Sequence, residues 1–435
     1  MSAQKLTAII AGGGPVGLTM ALGLARANID FIVLERRDKV VVAEGSDMTI
    51  LPMTMRAVDQ MNLREALSAL WSPITEVSRI DHGGRGMGSF HVPGVTWGST
   101  GYYPSFLSRE NLLKTLLATL PEQTHSRIYT GKTISDIRES EDGVTVSCKD
   151  GTSYSGTFVI GADGAHSVVR QRMRDLALEA RSPNVNEANP FVTTYQALWV
   201  RFPTAKLAGR SIQAGAASET HGFGVATQLF VGGDTATVGV YKKLPAQKRN
   251  SARYDEKDEA AVIEEIGDLP MLKAEGGKPD FCLRDVYEAR LGAGLVDLEE
   301  GVLPHWSWGG RIVLVGDAAH KFTPSMGSGL NFGMLDSVVL ANRLHALSKE
   351  ARDDGQRWWD RASLARAFEE YQKERYEVVR EGCQASSGHT AMSTWANLGL
   401  RLFDQYLMPS PLFQWFLGKR MVFKARSMGF VGFEF

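Results

Sequence analysis

The spacing of hydrophobic positions changes several times along this chain, and each change marks a different element. Leu6–Ala11 is a short, isoleucine-bearing apolar run, the pattern of a strand buried on both faces of a parallel sheet. Helical spacing follows from Pro15 to Ala27, with proline tolerated in the first turn, and then a second apolar run, Phe31–Leu34. Leu112, Leu113, Leu116, Leu117 and Leu120 recur at helical spacing before Pro121, which predicts a helix over Arg109–Leu120. Thr133–Ile137, Val144–Cys148 and Thr152–Tyr154 alternate with polar residues, with Asp142-Gly143 and Asp150-Gly151 as turns. Phe158–Ile160 returns to the buried-strand pattern. From about residue 185 the alternation lengthens. Tyr195–Phe202, Gly224–Val231 and Thr235–Tyr241 predict antiparallel strands, the last two joined at Gly232-Gly233-Asp234. Helices are predicted over Asp255–Ile266, Ser328–Leu347 and Ser363–Cys383, the last with Ser363 suited to its N-cap, and Arg311–Val315 is a final buried strand.

The first strand, helix and strand carry a chemical signature. Gly12 permits a tight turn, Gly14 lets backbone approach a pyrophosphate, and Gly17 lets the helix pack closely on the strand. The free N–H groups of that helix point at the phosphates. Glu35 ends the second strand, 18 residues after Gly17, where a carboxylate accepts both ribose hydroxyls of an adenosine. Glu35 suits FAD or NAD and argues against a 2′-phosphate, an inference blurred by Arg36 and Arg37 directly after it. The expected fold class is therefore α/β with a Rossmann-like nucleotide-binding domain.

Two further segments, FVIGADGAHSVVR (Phe158–Arg170) and RIVLVGDAAHKFTPSMGSGLNFG (Arg311–Gly333), complete a set of three. Together with Arg109 in LSRENLLKTLL, the set resembles the FAD-dependent (group A) monooxygenases that share the para-hydroxybenzoate hydroxylase fold. GDAAHKFTPSMGSGLNFG and GYYPSFLSRENLL are most similar to the fungal branch that oxidises indole alkaloids, meroterpenoids and polyketides. The resemblance runs from about residue 7 to about residue 390. It implies a discontinuous FAD-binding domain (residues 1–75, 100–184 and 301–390), interleaved with a mixed or antiparallel substrate-binding sheet (76–99 and 185–300), and a helical tail over 391–435.

The same resemblance implies bound FAD, with NADPH and O2 as co-substrates, and oxygen transfer through a flavin C4a-hydroperoxide. It places Asp163 near the pyrophosphate and the nicotinamide route, Asp317 on the ribityl chain, and Arg109 beside the flavin. Backbone N–H groups around Pro324, Gly327, Gly329, Leu330 and Asn331, at the start of a long helix, would face the flavin edge where negative charge develops on reduction. The loop with Gly45 and Asp47 would fold over the flavin. Asp47 is then a proton acceptor or substrate orienter, or else a turn residue ahead of Leu51-Pro52. On the sheet, Tyr195, Trp199 and Tyr241 are candidate aromatic walls and Arg201 a candidate cation for phenolate-like charge. His320 and His166 are expected to shape loops and not to act as bases. NADPH is expected to cross a groove near Asp163 and Arg170, since only one glycine-rich turn of the required kind exists.

Composition narrows the alternatives. An apolar fraction of 43% and a charged fraction of 22% belong to a globular chain, and the net charge of −1 gives no footprint for nucleic acid. Cys148, Cys282 and Cys383 are too scattered for a disulfide framework or a metal knot, which leads to an expected cytoplasmic location. No residue cluster has metal-ligand spacing. Trp395–Phe435 is rich in Trp, Phe, Leu and Met. Arg401, Asp404 and Pro409 interrupt it, so packing on the fold is expected ahead of peripheral membrane contact. The expected substrate is a small lipophilic molecule. Two other readings remain: a reductase or dehydrogenase of the same fold, and an escort protein that keeps the first turn but uses no flavin.

Overall fold

The computed structural model describes residues 8–42, 45–210, 212–273, 281–354, 359–427 and 431–435, and the backbone alone for 350–354 and 421–427. Ala8–Ala11 lies at the centre of a six-stranded sheet, hydrogen-bonded in parallel to Phe31–Leu34 on one side and Phe158–Gly161 on the other. Ile128–Tyr129 and Ile312–Leu314 extend it in parallel, and Ser307–Trp308 closes one edge antiparallel. All residues of Ala8–Ala11 and Phe158–Gly161 are buried, which is why both read as unbroken apolar runs. The helix Pro15–Arg26 packs on the helix Ser328–Asp354, and the Ser337 hydroxyl donates to the Val16 carbonyl at 3.1 Å. A methyl group on Gly17 would sit 2.0 Å from the Gly12 carbonyl oxygen, so only glycine lets the helix approach the strand this closely.

An eight-stranded sheet forms the other half. Its order is His320–Lys321, Gly292–Val302, Val192–Pro203, Thr235–Lys248, Val225–Val231, Ala217–His221, Val77–Asp81 and Gly86–Phe90. Neighbours are antiparallel except Ala217–His221 with Val77–Asp81. Alternation gives the sheet two unlike faces. Leu198, Val200, Phe202, Val238 and Val240 pack against Val262 and Ile263 of the helix Glu256–Ile266, and against Leu283 and Val286 of the helix Leu283–Glu288. Tyr195, Trp199, Arg201, Thr237 and Tyr241 occupy the opposite face, where the Thr237 hydroxyl meets Asp47.

Several elements differ from expectation. The strands Val77–Asp81, Gly86–Phe90, Ala217–His221 and Gly292–Val302 lack the apolar alternation that would announce them. Gly292 and Gly294 leave room for the Trp199 ring, whose indole nitrogen would lie 2.6 Å from a methyl group on Gly294. The helix expected over Ser363–Cys383 spans Arg361–Ser393, and its cap is Asp360, which accepts from the Ala362 and Ser363 N–H groups at 3.0 Å each. Its extension carries serines and threonines whose hydroxyls are occupied. Thr390 donates to the Thr323 hydroxyl at 2.9 Å and Ser386 to that of Ser328 at 3.3 Å.

The tail comprises the helix Leu398–Leu402, a π-helical turn Phe403–Leu407 and the helix Pro411–Ser427. Residues 431–435 return to the first helix, where a methyl group on Gly23 would lie 3.1 Å from the Phe433 ring, and the Phe433 N–H donates to Gln60 Oε1 of the helix Met55–Gln60 at 2.7 Å. Among the described residues no helix is long and apolar enough to cross a membrane.

Candidate active site

The three glycine-bearing segments meet in one place. A methyl group on Gly12 would lie 2.5 Å from the Ala162 carbonyl oxygen and 3.1 Å from Asp163 Cα, so the first turn packs directly on the second motif. Arg170 donates to the Ala318 carbonyl at 3.1 Å and the Ala165 carbonyl at 2.8 Å, tying the second motif to the third. A methyl group on Gly333 would lie 2.7 Å from Val16 Cγ2 and 3.2 Å from Gly316 Cα, which joins the third motif to the first. Other glycines in these segments have no such protein neighbours. A methyl group on Gly14 would meet only the Arg109 guanidinium, at 4.0 Å, and one on Gly329 only Asp317 Oδ1, at 3.8 Å. These two backbones therefore border space that the chain itself does not fill.

Charged groups ring that space. Glu35 is buried, and its oxygens accept the Gly13 N–H at 2.7 Å and the Arg37 N–H at 2.9 Å. Arg36, next to it, is exposed. Burial depresses the pKa of Arg109, as does nearby Arg37, while Asp317 and Glu35 favour its charge. Among the described residues nothing hydrogen-bonds the Arg109 guanidinium. The protein packed around the cleft desolvates Asp317 and raises its pKa against the pull of His320, Lys321, Arg109 and Arg170. Its side chain is nonetheless reached by solvent, as expected for a carboxylate lining a cleft. Gly45, at φ +91°, passes within 3.7 Å of the Arg109 side chain when given a methyl group. The 3-10 turn Pro324–Met326 ends at Gly327, with φ +63°, and delivers the N-terminus of the helix Ser328–Asp354 beside Asp317. Pro324 is exposed, and Leu330 is half-buried against the core.

Two expected cofactor residues have their side chains committed elsewhere. Asn331 is fully buried. Its Oδ1 accepts from the Leu51 N–H and the Thr54 hydroxyl, and its Nδ2 donates to the Thr49 and Gly327 carbonyls, all at 2.8 Å. Its amide therefore staples the helix start to the 49–54 segment, and only its backbone remains for a ligand. Asp163 Oδ2 caps the helix Val168–Glu179 through the Val168 and Val169 N–H groups at 2.7 and 3.1 Å, while Oδ1 is buried without a partner. His320 lies wholly inside, bonded to Asp336 and flanked by Trp306 and Phe322, in keeping with a loop-shaping role.

Asp47 crosses from this cleft to the sheet. Its Oδ2 accepts the Thr235 hydroxyl at 3.1 Å and the Thr237 hydroxyl at 3.0 Å, while Oδ1 is buried and unpartnered. Burial raises its pKa, opposed by Thr237, Thr235, the charge of Arg201 and the Arg109 backbone N–H. Arg201 stands cross-strand from Thr237 and keeps a buried Nε without a partner. Asp47 and Arg201 thus share one site, each with spare hydrogen-bonding capacity. Tyr241 lies on the same face, but its hydroxyl donates to Gln228 Oε1 at 2.7 Å, and burial raises its pKa. The Tyr241 hydroxyl proton is thus engaged within the protein.

Residues 5–264 and 292–372 match the family described as FAD binding domain. FAD-dependent monooxygenase ausM of Penicillium brasilianum is 31% identical over 409 residues, covering 93% of this chain and 83% of that protein. The chain belongs to the FAD-dependent monooxygenases. A second relative, FAD-dependent monooxygenase nodM of Hypoxylon pulicicidum, is 30% identical over 387 residues, covering 87% of this chain and 79% of its own. Among solved structures, p-nitrophenol 4-monooxygenase PnpA of Pseudomonas putida shares the fold with a TM-score of 0.74 at 19% identity, covering 98% of this chain and 99% of that one. A variant of HpxO of Klebsiella pneumoniae complexed with FAD gives 0.71 at 21%, with coverage of 98% and 99%. The escort reading is thereby excluded: this is a flavoenzyme, and its cofactor is FAD.

The monooxygenase also contains a buried ionic network that no sequence pattern announced. Asp404, in the π-helical turn of the tail, pairs with Arg79 of the sheet and accepts from His221 Nδ1 and Trp395 Nε1, each at 2.8 Å. His221 Nε2 reaches Glu219 at 2.9 Å, and Glu219 accepts from Gln228 Nε2 at 2.6 Å. The same Gln228 nitrogen donates to the Ser325 carbonyl at 2.8 Å, inside the turn that precedes the long helix. Burial alone would depress His221, but the hydrogen bonds and charges of Asp404 and Glu219 raise its pKa to about 9. Both ring nitrogens then donate. Desolvation keeps His389, 3.7 Å from Glu219, below its usual pKa. Arg79 and Glu219 lie on strands with little apolar signal, and Asp404 lies 325 residues from Arg79, so no local signal could have found the network.

Proposed function

We propose that this monooxygenase uses NADPH to insert one oxygen atom from O2, by hydroxylation or epoxidation, into an electron-rich lipophilic natural product. An indole alkaloid, a meroterpenoid or a polyketide phenol would fit. The fungal monooxygenases to which the chain is similar support the oxygen-inserting reading. Bound FAD would supply hydride acceptance and oxygen activation. The chain's own residues fit that cofactor. Each Glu35 oxygen accepts one N–H and keeps capacity for a ribose hydroxyl, with Arg36 alongside. Gly12, Gly14 and Gly17 open the helix N-terminus to the pyrophosphate, with Arg109 and the free oxygen of Asp163 nearby. Asp317 would take the ribityl hydroxyls. The N–H groups from Gly327 to Asn331, near Pro324, would stabilise negative charge on the flavin edge.

The observation that carries the substrate side is the pair of spare buried atoms, Asp47 Oδ1 and Arg201 Nε, on a face otherwise walled by Tyr195, Trp199 and Tyr241. A desolvated carboxylate with a raised pKa is suited to take a proton from a substrate O–H or N–H, and the guanidinium beside it to stabilise the resulting negative charge. Product analysis under labelled O2, with NADPH and a panel of indoles and prenylated phenols, tests this. One labelled oxygen atom per product is expected. Oxygen-independent NADPH consumption with unlabelled product would replace it with the reductase or dehydrogenase reading.

A further inference from the structure

We propose that the tail from Leu398 to Arg420 is a docking surface for an anionic lipid bilayer, resting on the membrane without spanning it. Seven of the thirteen exposed large hydrophobic side chains among the described residues fall between Leu398 and Phe416. They are ordered by helical spacing. Leu398, Leu402 and Tyr406 recur every four residues, and Leu412, Trp415 and Phe416 form a second stripe on the following helix. Tyr406 and Leu412 are each 76% exposed and Phe416 58%. An edge-to-face contact between Phe403 and Phe413, with centroids 5.4 Å apart, fixes the two segments to each other.

The polarity of the tail is inverted relative to an ordinary surface helix, which turns apolar residues inward and polar ones to water. Here two polar side chains, Asp404 and Gln414, face the protein. Asp404 is fully buried in its pairing with Arg79, His221 and Trp395. Gln414 is buried as well, donating to the Ser89 carbonyl at 2.9 Å and accepting the His91 N–H at 2.6 Å. On this side a methyl group on Gly418 would lie 2.6 Å from Val95. Satisfied polar groups thus anchor the tail from within and oblige its apolar stripes to point outward.

Charge selects the occupant. From Trp395 to Arg420 the one acidic residue is Asp404, which is buried and neutralised, whereas Lys419 and Arg420 are exposed. Lys419 continues the stripe of Leu412, Trp415 and Phe416 by one further turn. Apolar and aromatic side chains bordered by cations, with no exposed carboxylate within the tail itself, match an acyl–headgroup boundary carrying negative lipids. An aqueous protein partner of mixed charge would be a poorer match.

Co-sedimentation of the FAD-loaded full chain with two kinds of vesicle tests the proposal: phosphatidylcholine alone, and phosphatidylcholine mixed with phosphatidylserine. Stronger binding to the mixed vesicles is expected, weakening as salt is raised. L412S/W415S/F416S should reduce binding at least about tenfold on both. K419E/R420E should abolish the preference for phosphatidylserine. Both variants should keep their FAD, which shows that they fold. Absence of binding to either vesicle, or undiminished binding by the triple variant, overturns the proposal. So does a concentration-dependent dimer that the triple variant dissolves, since the surface would then belong to a second copy of the chain.

Discussion

The two faces of the eight-stranded sheet use the same strands and opposite chemistry. On one face, Leu198, Val200, Val238 and Val240 meet the apolar sides of two helices. On the other, within the same alternation, Arg79, Glu219 and His221 are buried and held by charge, and Asp47 and Arg201 retain unused donors and acceptors. The apolar face needs only shape and would tolerate volume-conserving exchange. On the polar face Arg79, Glu219, His221 and Asp404 depend on one another, because each left alone becomes a desolvated charge. The contrast sets shape complementarity on one side of the sheet against paired charge on the other.

The largest effect expected from breaking this contrast comes from Asp404→Ala. It strands Arg79 and His221 without their shared carboxylate and should destabilise the holoenzyme by about 3–5 kcal/mol in denaturant unfolding. A loss of about 1 kcal/mol or less would mean that the polar face is held by packing after all. Asp47→Asn comes next. It preserves size and removes the charge, so turnover should fall by ~10²-fold or more while FAD content stays at the parent level. Wild-type turnover would return Asp47 to the role of a turn residue. On the opposite face, Val240→Ala should cost about 2 kcal/mol through lost burial and leave turnover per folded molecule unchanged.

The smallest effect sharpens the comparison through pH. His221 holds its proton more tightly in the folded state, near 9 against an ordinary 6.5, so its contribution is complete below about pH 6.5. It is lost as pH rises through 9, with a slope on the order of 1 kcal/mol per pH unit. Glu219 and Asp404 are held below their ordinary values, by His389 and His221 and by His221 and Arg79 respectively, against desolvation. Their contribution is present above the usual carboxylate range and is lost on acidification. Val240→Ala should shift the whole curve of melting temperature against pH without altering its shape, whereas His221→Gln should flatten the alkaline limb.

The parallel half of the molecule was legible because its signals are local. The strand–turn–helix at Gly12–Gly17 and the strand ending at Glu35 form where the residue pattern places them. The sheet half was legible where one face is purely apolar, as in Thr235–Tyr241, and illegible where both faces carry mixed demands. Ala217–His221 reads as polar although all five residues are buried, because their partners are the charge of Asp404 and the amide of Gln228. Asp47 was a candidate from its loop alone, yet its contact with Thr235 and Thr237 spans nearly 190 residues and belongs to tertiary structure. Asn331 shows the converse: its position beside the cleft followed from the motif, but its side chain serves the 49–54 segment.

The central position of Ala8–Ala11 in its sheet bears on how the chain is made. One neighbour, Phe31–Leu34, leaves the ribosome almost at once, but the other, Phe158–Gly161, follows roughly 150 residues later, about eight to thirty seconds at ~5–20 residues per second. The Gly316–Gly329 region, which closes the cleft, emerges later still. Closure of the cleft therefore waits on residues far along the chain, and the nascent chain must hold an unfinished apolar strand until its partners are synthesised.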